Sequence, residues 1–194
     1  MKTIAYNSAV AKRCGKNGII KAVLLNYIYN YHRPNIRKGA GTPASISLAQ
    51  FVYQYTDGDK ALWGRSFIHK ILTDLCKDGH LVKARENNMP VYSVSNEIAG
   101  LLTDDEVELV TFDLEVACRY GIHIAIMSRY LLYVIDKSPK GEAYNLDVDE
   151  MSEVNRISPA QIYRAIKYLV DTKIVKRVKS RLRYRSRALS LARC

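Results

Sequence analysis

Residues 158–191 read SPAQIYRAIKYLVDTKIVKRVKSRLRYRSRALSL, and the way this stretch divides decides the fold. Ser158 is suited to cap a helix, and Pro159 to a first turn where a missing N–H costs nothing. From there Ile162, Ile166 and Leu169, with Ala165 beside them, recur on one helical face. The opposite face carries Ala160, Arg164 and Lys167, flanked by Gln161 and Tyr168. The helix is predicted to end near Thr172. Ile174-Val175-Lys176-Arg177-Val178 is then strand-like, Lys179 to Arg187 is strongly basic, and Ala188-Leu189-Ser190-Leu191 returns to an apolar close. The whole reads as a helix followed by a β-hairpin. Arg181, Arg183, Arg185 and Arg187 alternate, so an extended strand puts them on one side, and Leu189 and Leu191 continue that parity toward a core. A strand whose core side turns to arginine beyond the core's edge presents those charges to a polyanion.

The same unit occurs earlier in the chain. Residues 4–15 (IAYNSAVAKRCG) and 110–121 (VTFDLEVACRYG) align without a gap at an offset of 106, through Ile4/Val110, Tyr6/Phe112, Asn7/Asp113, Val10/Val116, Ala11/Ala117, Arg13/Arg119 and Gly15/Gly121. Asn7 and Asp113 are N-cap types, so each copy is expected to open with a short helix that stops at its glycine. A longer helix follows, carrying Ile19, Ile20, Val23, Leu24, Tyr27 and Tyr31 in the first copy and Ile122, Ile126, Tyr130 and Val134 in the second. Next come a Gly/Pro loop, a short strand signal (Ser45-Ile46; Tyr144-Asn145-Leu146) and matching capping boxes, Ser47-x-x-Gln50 and Asp147-x-x-Glu150. The helix after them aligns at an offset of 94 through Ile68/Ile162, Lys70/Arg164, Leu72/Ile166 and Leu75/Leu169. Asp78–Lys83 then parallels Asp171–Lys176, and each copy ends in a hairpin.

The predicted fold is therefore mainly α with small β-hairpins (α+β), as two tandem domains, 1–99 and 100–194, related by an internal repeat. The boundary is expected near Asn96–Thr103, with Thr103-x-x-Glu106 capping a linking helix. Copy one departs from copy two at Thr56–Gly64, a longer and looser turn than Asn155-Arg156-Ile157.

On these residues each copy resembles a winged helix-turn-helix domain, and two in tandem cover nearly the whole chain. The openings at Tyr6–Gly15 and Phe112–Ile126 are similar to winged-helix modules of phage and plasmid replication proteins. Met151–Leu169 is similar to the helix-turn-helix of bacterial regulators. The resemblance implies a double-stranded DNA-binding protein, a transcriptional regulator or replication-origin binder of a phage or mobile element. One helix would enter the major groove, and the basic wing would lie on phosphates or in the minor groove. In copy two the contact residues would be Ser158, Ala160, Gln161, Arg164, Lys167, Lys176, Lys179, Arg181, Arg183, Arg185 and Arg187. Gln161 is suited to adenine and Arg164 to guanine. In copy one they would be Arg65, Ser66, Phe67, Lys70, Thr73, Lys83 and Arg85, with Arg33, Arg37 and Lys38 adding phosphate contacts.

Charge agrees with a polyanionic partner. The chain of 194 residues carries 30 Lys/Arg against 19 Asp/Glu, a net charge of +11. Residues 167–194 hold ten Lys/Arg and one acid, whereas 100–166 hold six and twelve, so the second copy is electrically polarised. Residues 1–99 hold fourteen and six, spread along the chain. Two other readings are open. The domains would dock on a host or replisome protein, as adaptor or inhibitor, through Asp147, Asp149, Glu150 and Glu153; or the basic surface would bind RNA. Tandem copies let a monomer span two half-sites, and a homodimer is the alternative.

No phosphate-binding Gly-rich loop ending in Gly-Lys-Ser/Thr and no H-E-x-x-H occurs, and the four histidines stand apart, so neither enzyme, cofactor nor metal is expected. Gly15-Lys16-Asn17-Gly18 has the G-x-x-G form of an RNA-binding loop, without the strands that should follow it. Cys14, Cys76, Cys118 and Cys194 are scattered and read as reduced thiols. With neither a signal-peptide run nor a span of apolar residues, a cytoplasmic protein is expected, in host cytoplasm or nucleoid if phage-encoded, with no membrane contact.

Overall fold

Two compact units, Met1–Leu114 and Glu115–Cys194, emerge in a computed structural model that describes residues 2–31, 44–104, 109–139, 144–155, 157–178 and 189–193. The first unit contains β1 (Thr3–Asn7), α1 (Ser8–Arg13), α2 (Gly18–Tyr31), β2 (Ala44–Ser45), α3 (Leu48–Gln54), β3 (Thr56–Asp57) and β4 (Lys60–Ala61). It continues through α4 (Arg65–Lys77), β5 (Leu81–Glu86), β6 (Met89–Val94), α5 (Asn96–Thr103) and β7 (Leu109–Asp113). The chain then runs through α6 (Leu114–Tyr120), α7 (Ile122–Lys137), β8 (Tyr144–Leu146), α8 (Val148–Asn155), α9 (Pro159–Asp171), β9 (Val175–Val178) and β10 (Leu189–Arg193). The architecture is α+β: helices over small antiparallel sheets.

The opening strand was not expected. Ile4 and Tyr6 are buried at a two-residue period, and β1 pairs antiparallel with β7, setting Ala5 opposite Thr111, its counterpart in the sequence alignment. The helix that follows is as expected: Asn7 Oδ1 accepts the Val10 N–H (3.0 Å), and α1 stops before Gly15, whose φ is +61°.

The division after Leu114 falls later than 99/100 because the intervening segment is tied to the first unit. Arg13 pairs with Glu97 on α5 (2.6 Å), Asn7 Nδ2 donates to the Leu101 carbonyl (2.7 Å), and β7 completes the ladder with β1. Thr103 is the last residue of α5. Its hydroxyl turns back onto the Ala99 and Gly100 carbonyls, while Glu106 lies outside the described residues.

From α1 to β6 and from α6 to β10 the elements follow the same order, apart from the β3–β4 pair. The three-stranded sheets are ordered β2-β6-β5 and β8-β10-β9, with the last strand of the hairpin central in each. The long helix of each stretch carries the core: Ala22, Val23, Leu24, Leu25 and Ile28 on α2, and Ala125, Ile126, Met127, Leu131 and Ile135 on α7. Tyr27 bridges α2 to α3 by edge contacts with Phe51 and Tyr55, and Phe51 meets Tyr92 of β6.

Thr56–Gly64 is not a loose turn. It folds into the β3–β4 hairpin, with Gly58 at φ +59° at the first turn position, and is fastened at its base. There Leu62 N–H donates to the Tyr55 carbonyl (2.8 Å), and Trp63 packs on Tyr55 at 5.1 Å, whose own hydroxyl donates to the Val23 carbonyl (3.2 Å). The Gly15–Gly18 stretch is a tight connector. Gly18 N–H donates to the Gly15 carbonyl (2.8 Å), and a Cβ on Gly18 would collide with the Ala11 carbonyl, so this glycine lets α1 and α2 approach.

Candidate nucleic-acid interface

α9 has the two faces its sequence predicts. Ile162, Ala165, Ile166 and Leu169 are buried, and the helix packs on α7, while Ala160, Arg164 and Lys167 are exposed. Pro159 occupies the first turn. Ser158 takes the cap position, but its hydroxyl makes no capping bond and instead lies 3.3 Å from Gln161 Oε1, an interaction that draws the half-buried Gln161 toward the helix start. Lys167 pairs with Asp171 (2.8 Å), an exposed i,i+4 pair easily given up to a stronger anion.

Position on the strand after the helix depends on register. Val175 is buried, and Arg177 shares its side of β9, opposite buried Leu191; Lys176 is exposed on the other side, opposite Ala192. In the first unit buried Leu81 is followed on the same side of β5 by exposed Lys83, opposite Tyr92, and by Arg85, opposite Pro90. Lys83 thus corresponds to Arg177, one residue beyond the Lys176 that the Asp78–Lys83/Asp171–Lys176 alignment suggested. That one-residue slip hid Arg177, and the offset of 94 that fits the preceding helix would have found it.

α4 mirrors the packing of α9. Ile68, Ile71, Leu72 and Leu75 are buried, and Arg65, Ser66, Phe67, Lys70 and Thr73 are exposed. The Thr73 hydroxyl is turned back onto the His69 carbonyl (2.9 Å). The β5–β6 hairpin closes on Asn87 and Asn88, both with positive φ (+49° and +62°), as a two-residue turn of the twisted type requires. Lys83 is close enough to α4 for its charge to offset part of the burial that pushes the Cys76 thiol pKa up.

Lys179, Arg181, Arg183, Arg185 and Arg187, and the loop residues Arg33, Arg37 and Lys38, lie outside the described residues. The acids proposed to meet a protein have a local role. Asp147 Oδ1 accepts the N–H groups of Asp149 (2.9 Å) and Glu150 (3.1 Å), capping α8, and Asp149 and Glu150 sit exposed in its first turn, where the helix dipole favours negative charge. Glu153 is on the same helix, its side chain outside those described.

Two further side-chain contacts escaped the sequence reading. One is a contact between Tyr120 of α6 and Tyr168 of α9, with ring centroids 4.8 Å apart. The other is a buried cation: Lys21 on α2 reaches Asp78 after α4 at 2.5 Å and the Cys14 carbonyl at 3.5 Å. The Lys21 ammonium holds the Asp78 carboxyl below its ordinary value, while burial pushes the Cys14 thiol up to about 11.

Among the described residues no group of three or more His, Cys, Asp or Glu could hold a metal ion, and no helix is long and apolar enough to cross a membrane. No protein-family model matches the chain, and no curated protein is significantly similar to it.

Proposed function

We propose that the chain is a double-stranded DNA-binding protein of two tandem winged helix-turn-helix domains, acting in the cytoplasm or nucleoid as a transcriptional regulator or replication-origin binder of a phage or mobile element. The observation that carries the reading is the α9 surface. A helix packed along one side by Ile162, Ala165, Ile166 and Leu169 follows a capped helix and leads into a basic hairpin, leaving Arg164 bare on its outer side and Arg177 on the strand beside it. A helix of about 10–12 Å diameter fills a major groove of about 12 Å. Arg164 then reaches a base edge, with guanine its best partner, and Arg177 and the sequence's four alternating arginines neutralise phosphates. The hairpin of the first unit carries less charge, so we assign it the lesser share of the binding energy. The acidic turn of α8 is accounted for by its cap, which favours DNA over the protein-docking alternative.

The test is a titration of the full chain with a mixed-sequence duplex over a series of salt concentrations. Affinity is expected to fall log-linearly with salt; removing Arg177 should lower the slope by about one, and removing Arg164 should weaken binding and relax preference at one base pair. A duplex affinity indifferent to salt overturns the reading, and preferential capture by competing duplex RNA redirects it to RNA.

A further inference from the structure

The outer row of α9 does not stop at Arg164. Tyr168 lies one turn further on, on the flank shared with Gln161, and its ring packs on that of Tyr120, the last residue of α6, with the planes at 48°. Helical side chains lean toward the N-terminus of their helix, so the Tyr168 ring covers the turn that carries Arg164. Tyr168 is half-buried, and Tyr120 keeps 48% of its surface exposed.

The first unit sharpens this. At the positions matching Tyr120 and Tyr168 it has Cys14, which is buried, and Asp74, one turn beyond Lys70. A carboxylate there would repel a phosphate that a phenol could bind. The tyrosine pair therefore occurs only in the unit whose hairpin is arginine-rich, so two separate departures from the common pattern favour the same polyanion.

We propose that Tyr120 and Tyr168 are nucleic-acid contact residues. Their hydroxyls donate to non-bridging oxygens of the DNA backbone beside the groove that α9 enters, and the ring contact holds α6 and α9 as one surface. This rests on the DNA-binding reading above and extends the interface to α6, beyond helix and hairpin. A phenol is a neutral donor, so it fixes position without displacing counterions. Its loss therefore weakens binding by the same factor at every salt concentration, whereas loss of a cation changes the slope.

The experiment uses the full chain as wild type, Tyr120→Phe, Tyr168→Phe, the double variant and Arg164→Ala, each titrated against one duplex across the salt series. Phenylalanine keeps the ring contact, so the fold is not at stake. Each Phe variant is expected to bind about three- to tenfold more weakly with an unchanged slope, and Arg164→Ala about tenfold more weakly. If the double Phe variant binds as wild type does while Arg164→Ala is impaired, the tyrosine assignment is overturned and the DNA reading stands. If the wild-type chain binds no duplex at low salt, both are overturned.

Discussion

Ile68, Ile71, Leu72 and Leu75 of α4 are buried as Ile162, Ala165, Ile166 and Leu169 of α9 are, yet the two helices turn different residues outward. Where α9 shows Ala160, Gln161, Arg164, Lys167 and Tyr168, α4 shows Ser66, Phe67, Lys70, Thr73 and Asp74. Packing constrains about four positions per helix and leaves the outer residues free to diverge. The same holds one layer deeper. Lys21 and Asp78 form an ion pair in the first unit; on the alignments of Tyr27 with Tyr130 and of α4 with α9, their counterparts are Ile124 and Thr172, and the Thr172 hydroxyl donates instead to the Tyr168 carbonyl (2.8 Å). What the helices share therefore serves folding, and the outward residues are where they diverge.

The shared part is tested by cutting it in both places. Leu72→Ala and Ile166→Ala each remove a buried branched side chain and should each cost about 2–5 kcal/mol in denaturant unfolding. A loss below 1 kcal/mol at only one site would break the equivalence. The difference is tested by replacing Arg181, Arg183, Arg185 and Arg187 together with alanine. Four fewer cations should flatten the salt slope by up to about four and lower duplex affinity about a hundredfold or more at moderate salt. An unchanged slope would mean that the arginines do not meet phosphate.

Most of the architecture was legible because burial writes periodicity into sequence. The Ile162–Ile166–Leu169 spacing, the Ser47–Gln50 capping box with both of its bonds (2.7 and 3.2 Å) and the return strand at Val91–Val94 all lie where the pattern put them. What was illegible has physical reasons. β1 is five residues long and its partner β7 is a hundred residues away, so two short alternating stretches were absorbed into the helix starts beside them. The β3–β4 hairpin hid in a Gly/Asp cluster that reads as loop, and its anchor, Trp63 on Tyr55, is a tertiary contact. Arg177 was lost to a one-residue slip, the error to which a two-residue period is most sensitive. The Tyr120–Tyr168 contact joins two helices that no local spacing relates.

The Lys21–Asp78 pair gives the first unit a pH signature. Removing one partner strands a buried ammonium, so Asp78→Ala should cost about 2 kcal/mol, less than a fully buried pair because the carboxylate is half exposed. Asp78 has a folded pKa below its ordinary 3.8, so its contribution is present above that value and is lost as pH falls through the lower one. Cys14 runs the other way. Its neutral thiol is favoured by burial, so the contribution is present below the ordinary 9.0 and is lost as pH rises toward about 11. Urea midpoints from pH 2 to 11 should fall at both ends. Cys14→Ala should flatten the alkaline limb and Asp78→Ala the acid one; an acid limb unaltered in Asp78→Ala would show that other carboxyls set it.

The finest comparison is between single cations at matched positions. Arg164→Ala should weaken duplex binding about tenfold, since an arginine on a base edge is worth about 1–3 kcal/mol, and should relax preference at one base pair. Lys70→Ala should change affinity less than threefold if α4 has the lesser share; a larger loss would make the two units equal partners. Arg177→Ala and Lys176→Ala then examine the strand register. The two residues are adjacent and both exposed, but Arg177 shares its face with buried Val175 and Leu191 while Lys176 points to the other side. Charge loss is the same in both variants, so a general polyelectrolyte effect would weaken them equally. A wing held by the β9–β10 ladder should lose affinity and about one unit of slope in Arg177→Ala, with Lys176→Ala close to wild type.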